Sequence, residues 1–418
     1  MTSQKERQAH SPASCAVAGG GPGGMLLAYL LARCGVPVTL FEAHRDFDRD
    51  FRGDSLHPYT LELLDALGLA DTLLELPHFP ARYFRFHTPT TTITTTDYGK
   101  LRTRFNYVAL MPQAQFLDFL AEEASLLPAF TLRLGAKVTG LLHDDNGRIA
   151  GVRYRDEHGE HDRPATLVVG ADGRFSKVRR LAGLSAHSLG ASSDLLWFRL
   201  PRRPDDPPEA DVDLYFGREH YVGLLGGPSG WQVGYSLPKG GYAAARQAGV
   251  DPIRTFVARH VPWLADRIHL LESFSQITLL PVDIARVTTW HRPGLLLLGD
   301  AAHVISPVGG NGILMAIQDA VAAANRLVPL LRRGTVTDTD LASVQADREP
   351  AIKQVQAQQV AIERRAARAL RTGLPMSPPP LLKLLTALPG VRARNARANA
   401  YGPQPPQLNT ALLDAPGS

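Results

Sequence analysis

Apolar and polar positions alternate between two regimes along this chain. The first apolar run, Cys15-Ala-Val-Ala, ends on Gly19 and predicts a short buried strand. A glycine-rich turn follows from Gly19 to Gly24. Met25 to Cys34 is then rich in Leu and Ala, which predicts a buried helix closed by Gly35. Val38-Thr-Leu-Phe41 is the next strand, giving strand, turn, helix and strand in succession, the start of a parallel βαβ unit. Residues 58–75 carry Leu61, Leu64 and Leu67 at helical spacing, and 113–126 again predict helix. Tyr83, Phe84, Phe86 and the Thr-rich run to Thr96 predict strands. Residues 131–156 predict a hairpin around Asn146-Gly147, and Leu167-Val-Val-Gly170 a buried strand. From 186 to 285 short apolar runs are broken by Pro and Gly, which predicts an inserted antiparallel sheet. Leu295 to Leu298 is another buried strand, Gly312 begins a helix, and 339–371 reads as one long helix or a helix pair. Beyond Gly373 the Pro-rich sequence predicts a loose tail.

Composition narrows the function. Of 418 residues, 44% are hydrophobic and 20% charged, which excludes a disordered chain, a coiled coil and a collagen-like repeat. The net charge of +5 raises nucleic acid as a partner. The basic residues are scattered among 40 acidic ones without aromatic interleaving, so no nucleic-acid partner is expected. The cluster Arg392, Arg394 and Arg397 reads as a solvated face or a contact between parts of the fold. Two cysteines, Cys15 and Cys34, build neither a disulfide framework nor a zinc site, so no metal is expected and the setting is read as cytoplasmic. The polar N-terminus lacks the apolar core of a secretory signal, and no apolar run is long enough for a transmembrane segment.

The candidate chemistry begins at Gly19-Gly20-Gly21-Pro22-Gly23-Gly24, which fits G-x-G-x-x-G through Gly19, Gly21 and Gly24. The first glycine allows the tight turn, the second lets the backbone approach a pyrophosphate, and the third lets helix and strand pack closely. Amide groups at the helix start then face the phosphates. Glu42 stands at the end of the second strand, where a carboxylate accepts from an adenosine ribose and disfavours a 2′-phosphate. Two further motifs follow buried strands: Gly170-Ala-Asp172-Gly173 with Ser176 and Arg179, and Gly299-Asp300-Ala-Ala-His303 leading into Pro307-Val-Gly-Gly-Asn-Gly312. In open α/β sheets ligands sit at such carboxyl ends.

These three motifs in this order resemble the class A flavoprotein monooxygenases typified by para-hydroxybenzoate hydroxylase, over residues 14–330. The resemblance implies an α/β fold: a Rossmann-like FAD-binding domain with a parallel sheet, an inserted antiparallel-sheet substrate domain and a C-terminal helical segment. The implied division is a disordered tail at 1–14; a discontinuous FAD domain at 15–81, 107–185 and 286–335; a substrate sheet at 82–106 and 186–285; and a helical segment with a Pro-rich tail at 336–418. The cofactor is FAD, with NAD(P)H as a transient co-substrate. Gly19, Gly21, Pro22, Gly23 and Gly24 would hold the pyrophosphate and Glu42 the adenosine ribose. Arg52 would face the phosphates, Gln113 the ribityl or pyrophosphate side, Asp172 and Gly173 the FAD, and Gly299 and Asp300 the ribityl chain. Pro307, Gly309 and Gly310 would line the reactive flavin edge, with Asn311 and Gly312 beside them.

The same resemblance implies the reaction: one oxygen atom of O2 enters an aromatic or polyketide-like small molecule through a C4a-hydroperoxyflavin, in secondary metabolism or aromatic degradation. A flavin reductase or dehydrogenase, or a non-redox FAD-bound cyclase, would share these motifs. A monomer or homodimer is expected. The pocket needs dry walls more than a catalytic side chain. A phenol would gain from a base, for which Tyr107, Tyr221, Tyr235, His57 and His220 are candidates by residue type. Trp231, Trp290 and His303 read as core or packing residues.

Overall fold

The computed structural model describes residues 13–48, 54–207, 211–228, 230–307, 310–372 and 381–413. Most of the N-terminal tail read from the sequence (residues 1–12), and Arg52 and Gly309, lie outside them.

A six-stranded sheet forms the first layer, in the order 291–292, 295–297, 167–170, 15–18, 38–41, 130–133. All neighbours run parallel except the edge strand His291–Arg292. Its central strands Cys15–Ala18, Val38–Phe41 and Leu167–Gly170 are buried throughout, which is why they read as unbroken apolar runs rather than alternating ones. The glycine-loop helix Pro22–Arg33 packs between the sheet and the helix Asn311–Arg332. The latter is long and apolar enough to cross a membrane, but most of it is buried inside this core.

The second layer is a seven-stranded sheet in the order 278–280, 193–201, 230–238, 221–226, 212–216, 83–88, 91–97. The expected antiparallel sheet holds with one exception: Val212–Phe216 and Tyr83–Thr88 pair in parallel, where the two separate insertions meet. One face alternates Leu196, Phe198, Val222, Leu224, Val233 and Tyr235 into a core covered by the helices Tyr242–Ala248 and Asp251–His260. Those helices replace part of the all-strand pattern read for 186–285, because the apolar positions Ile253, Val257 and Val261 recur at helical spacing.

Two other expectations change. Residues 58–75 form two helices, Pro58–Ala66 and Ala70–Glu75, because Gly68 at φ 77 breaks the run. The tail residues 381–413 are ordered against the rest of the fold rather than loose. After the helix Asp338–Thr372, the chain returns as Leu382–Ala387 and Val391–Tyr401, and the latter lays Ala396 and Ala400, both fully buried, beside the Thr91–Asp97 strand. The Asn395 side-chain amide donates to the Thr95 carbonyl (2.9 Å) and Asn399 to the Thr96 hydroxyl (3.2 Å).

A buried ionic cluster ties the helices Asn311–Arg332 and Asp338–Thr372 to the segment that follows strand 295–297. Asp319, on the helix Asn311–Arg332, accepts from the Gly299 N–H (3.0 Å), faces His303 Nε2 (2.6 Å) and accepts from Arg348 Nε (2.9 Å). Burial would raise this carboxyl, but His303 and Arg348 outweigh it and hold it below the usual carboxylate range. Removing one partner of such a cluster leaves charge buried without compensation. Arg348→Met is therefore expected to cost about 3–5 kcal/mol in urea unfolding; a loss under about 1 kcal/mol would contradict a dependence of the fold on this cluster.

Candidate functional site

The first strand ends at Gly19, whose N–H donates to the Phe41 carbonyl (2.8 Å) and whose φ of 105 suits glycine. A Cβ here would meet the Ala171 carbonyl, and one on Gly24 would run into the Gly19 carbonyl. Strand 15–18, the following helix and strand 167–170 thus meet without room for side chains. At Gly21 the situation reverses: a Cβ would find nothing within 4 Å. Gly21 is also the residue before the helix, and no side chain caps that helix. Its first turn therefore presents backbone polarity to open space, a cradle that fits a pyrophosphate.

Glu42 stands across from this turn. Its Oε2 accepts from the Gly20 N–H (2.9 Å) and its Oε1 from the His44 N–H (3.0 Å). The carboxylate is thereby fixed at the wall of one long cavity of about 590 Å³. Gly19, Gly21, Pro22, Gly23, Gly24, Glu42, Gln113, Asp172, Gly173, Gly299, Asp300, Pro307, Gly310 and Gly312 all line that cavity. The structure thus gathers nearly all the residues singled out in the sequence. Asn311 opens the helix Asn311–Arg332 but does not line the cavity.

The two acidic motifs differ in what their side chains do. Asp172 accepts from the Ser176 hydroxyl and from the Lys177 (2.7 Å) and Val178 (3.0 Å) amides, so its carboxylate caps the helix Lys177–Leu181. Arg179 on that helix reaches across to the Ala301 carbonyl (2.9 Å) and the Arg174 carbonyl (2.8 Å), locking the Asp172 turn to the Asp300 turn. Gly310, left-handed at φ 67, starts the next helix against Ser55, and its carbonyl faces His57 Nε2 (3.3 Å). That helix start, like the first, has no side-chain cap and points its dipole at the cavity.

The far end of the cavity is the uncovered face of the seven-stranded sheet. Phe84, Leu195, Trp197, Val212, Leu214, Tyr221 and Leu225 form an apolar wall. Gly223 and Gly234 sit opposite each other on neighbouring strands, and the missing side chain at Gly234 lets the Trp197 indole lie against the backbone. Of the proton-relay candidates, His57 and Tyr221 reach the cavity; Tyr107, Tyr235 and His220 do not line it. Burial pushes His57 down to about 4, so its imidazole is neutral. Sequence reasoning missed Asp54, Tyr98, Trp197 and Asn399, which also line the cavity. Trp197 stands in the unbroken apolar run 195–198, which gives no alternation to say which side chains face the cavity, and Asn399 comes from a segment read as a tail.

The FAD binding domain family model matches residues 13–359. A 6-methylpretetramide 4-monooxygenase from Streptomyces rimosus is 34% identical over 95% of this chain and 94% of its own length. A rifampicin monooxygenase from Streptomyces venezuelae is 28% identical over 73% of this chain, which spans 61% of that protein. Among solved structures, a probable FAD-dependent monooxygenase from Pseudomonas aeruginosa superposes with a TM-score of 0.73 at 23% identity, covering 87% of this chain and 98% of that one.

The contrast between the glycines gives a test. Gly21→Val should leave the stability of the cofactor-free protein within about 1 kcal/mol of the parent, since the new side chain meets open space. It should weaken FAD binding at least about a hundredfold, or ~2.7 kcal/mol, by filling the cradle. Undiminished FAD affinity, measured by fluorescence titration, would contradict the cradle.

Proposed function

The chain belongs to the FAD binding domain family, among para-hydroxybenzoate hydroxylase-like monooxygenases, and on that premise we propose that it inserts one oxygen atom of O2 into an aromatic, polyketide-type small molecule at the expense of NAD(P)H. The observation that carries this reading is the continuity of the cavity. One space of about 590 Å³ joins the glycine cradle to an apolar sheet face. When bound, FAD supplies the redox chemistry, taking a hydride from NAD(P)H and delivering oxygen to the substrate.

The residues of the chain position and protect. The uncapped helix start at Gly21–Gly24 would hold the pyrophosphate, and the fixed Glu42 carboxylate would accept from the adenosine ribose. Asp300, at the cavity wall beyond strand 295–297, would accept from ribityl hydroxyls. Gly173 and Gln113 border the same stretch, with Asp172 shaping its turn. Pro307, Gly310 and Gly312 would border the flavin, where the helix dipole favours negative charge. The Leu195, Leu214 and Leu225 side chains keep water from the substrate's rings. Two buried free thiols, Cys15 and Cys34, suit a reducing cytoplasmic setting.

Fused-ring phenols should stimulate NAD(P)H oxidation, and the product should gain one oxygen atom drawn from isotopically labelled O2. Label arriving from water, or reductant consumption with no oxygenated product across the panel, would contradict the reading.

A further inference from the structure

The returning C-terminal chain turns an apolar face outward. The helices Leu382–Ala387 and Val391–Tyr401 both pack on the strand Thr91–Asp97. A leucine-rich helix ordinarily buries its leucines, and the first of these does the reverse. Its buried residue is Thr386, whose hydroxyl donates to the Leu382 carbonyl (2.8 Å). Leu381, Leu384, Leu385 and Leu388 are instead 51% to 65% exposed. Their spacing of three, four and seven positions from Leu381 gathers them into one stripe. Contiguous apolar surface of this kind marks an interaction site.

The charge around the stripe has one sign. Segment 381–401 carries Lys383, Arg392, Arg394 and Arg397 and no Asp or Glu. Arg392 Nε donates to the Thr386 carbonyl (3.0 Å), tying the second helix to the first. Asn395, Ala396, Asn399 and Ala400 take the side of the second helix that meets strand 91–97. Arg394 and Arg397, both exposed, stand on its outer side, and Lys383 is exposed among the leucines. Lys100, on the turn Tyr98–Lys100 that packs against Val391–Tyr401, is exposed as well. The acids on the elements packed against this unit are engaged elsewhere. Asp97 pairs with Arg82, Asp65 with Arg104, and Glu62 accepts from the hydroxyls of Thr103 and Tyr401.

Leucines ringed by uncompensated bases match a surface that is anionic outside and apolar beneath. We propose that this face docks the protein reversibly on a bilayer containing anionic lipid, with the leucines entering the acyl boundary and Lys383, Arg394 and Arg397 meeting headgroup phosphates. A second copy of the chain would set the same positive charge against it. None of the four leucines lines the large cavity or the smaller one beside Cys15, so the patch inserts into a partner rather than receiving a side chain from one. The helix Val391–Tyr401 also carries Asn399 to the cavity wall, so docking holds the substrate end of the cavity beside a phase into which apolar ring systems partition. Docking goes beyond the oxygenation chemistry and does not depend on it.

The test is flotation of the FAD-loaded protein with vesicles of phosphatidylglycerol and phosphatidylcholine in equal parts, against vesicles of phosphatidylcholine alone. The anionic vesicles should bind it at least about tenfold tighter, and the preference should fall as salt rises. Leu384→Glu combined with Leu385→Glu should weaken binding at least about tenfold, by placing carboxylates where the leucines enter. Lys383→Ala combined with Arg394→Ala should remove most of the preference for phosphatidylglycerol. Flavin content and NAD(P)H oxidation in solution should match the parent in both variants, since none of these four residues lines the cavity. Binding to neither vesicle, equal binding to both, or undiminished binding by the glutamate variant would overturn the proposal. A leucine-dependent dimer in sedimentation, without vesicle binding, would overturn it in favour of a second copy. Leucine-dependent retention on immobilised polyglutamate, again without vesicle binding, would overturn it in favour of an acidic polypeptide.

Discussion

The backbones at Gly19, Gly24 and Ala171 cross so closely that neither glycine has space for a Cβ, and the site follows from that crossing. The close approach pins the helix Pro22–Arg33 onto the ends of strands 15–18 and 167–170, so that its uncapped start faces the cavity. Register then carries the constraint sideways. Strand 38–41, paired in parallel with the first, delivers Glu42 opposite the turn, and strand 295–297, paired with 167–170, delivers Gly299 and Asp300. Asp319 grips the Gly299 amide from the helix behind, and Arg179 bridges from the Asp172 turn to Ala301. Around the glycine turn the polar side chains thus hold loops in place, and the glycines turn backbone toward the cavity.

The second sheet packs one face into a core and lines the cavity with the other. One face buries Phe198, Trp231 and Tyr235 with the helices 242–248 and 251–260; the other presents Trp197, Leu214 and Tyr221 to the cavity. Period-two alternation makes this possible within single strands, since Leu196 and Trp197 face opposite ways. The Asp54–Gln232–Trp197 chain joins the sheet to the segment that precedes strand 55–56.

Much of the cofactor end was legible in the sequence because its geometry is local. Gly19 to Gly24, Glu42, Asp172 and Asp300 each lie just beyond a buried strand, and strand ends in a parallel sheet converge by topology. The substrate end was less legible because its contacts are distant in sequence. Asp54 meets Gln232 across 178 positions and Asn399 meets Thr96 across 303. No periodicity reports such pairings. The same reason hid the return of Val391–Tyr401, whose mixed Arg, Asn and Ala sequence has no apolar stripe beyond Ala396 and Ala400. The parallel pairing of 83–88 with 212–216 was equally out of reach, since both strands read alike in either direction.

The most direct measurement of the account is a crystal structure of the protein loaded with FAD. It should show the pyrophosphate over Gly21, the adenosine ribose at Glu42, and the flavin ring between Gly310 and the Trp197 face of the sheet. Density for FAD elsewhere, or a Glu42 carboxylate that does not touch the ribose, would contradict it.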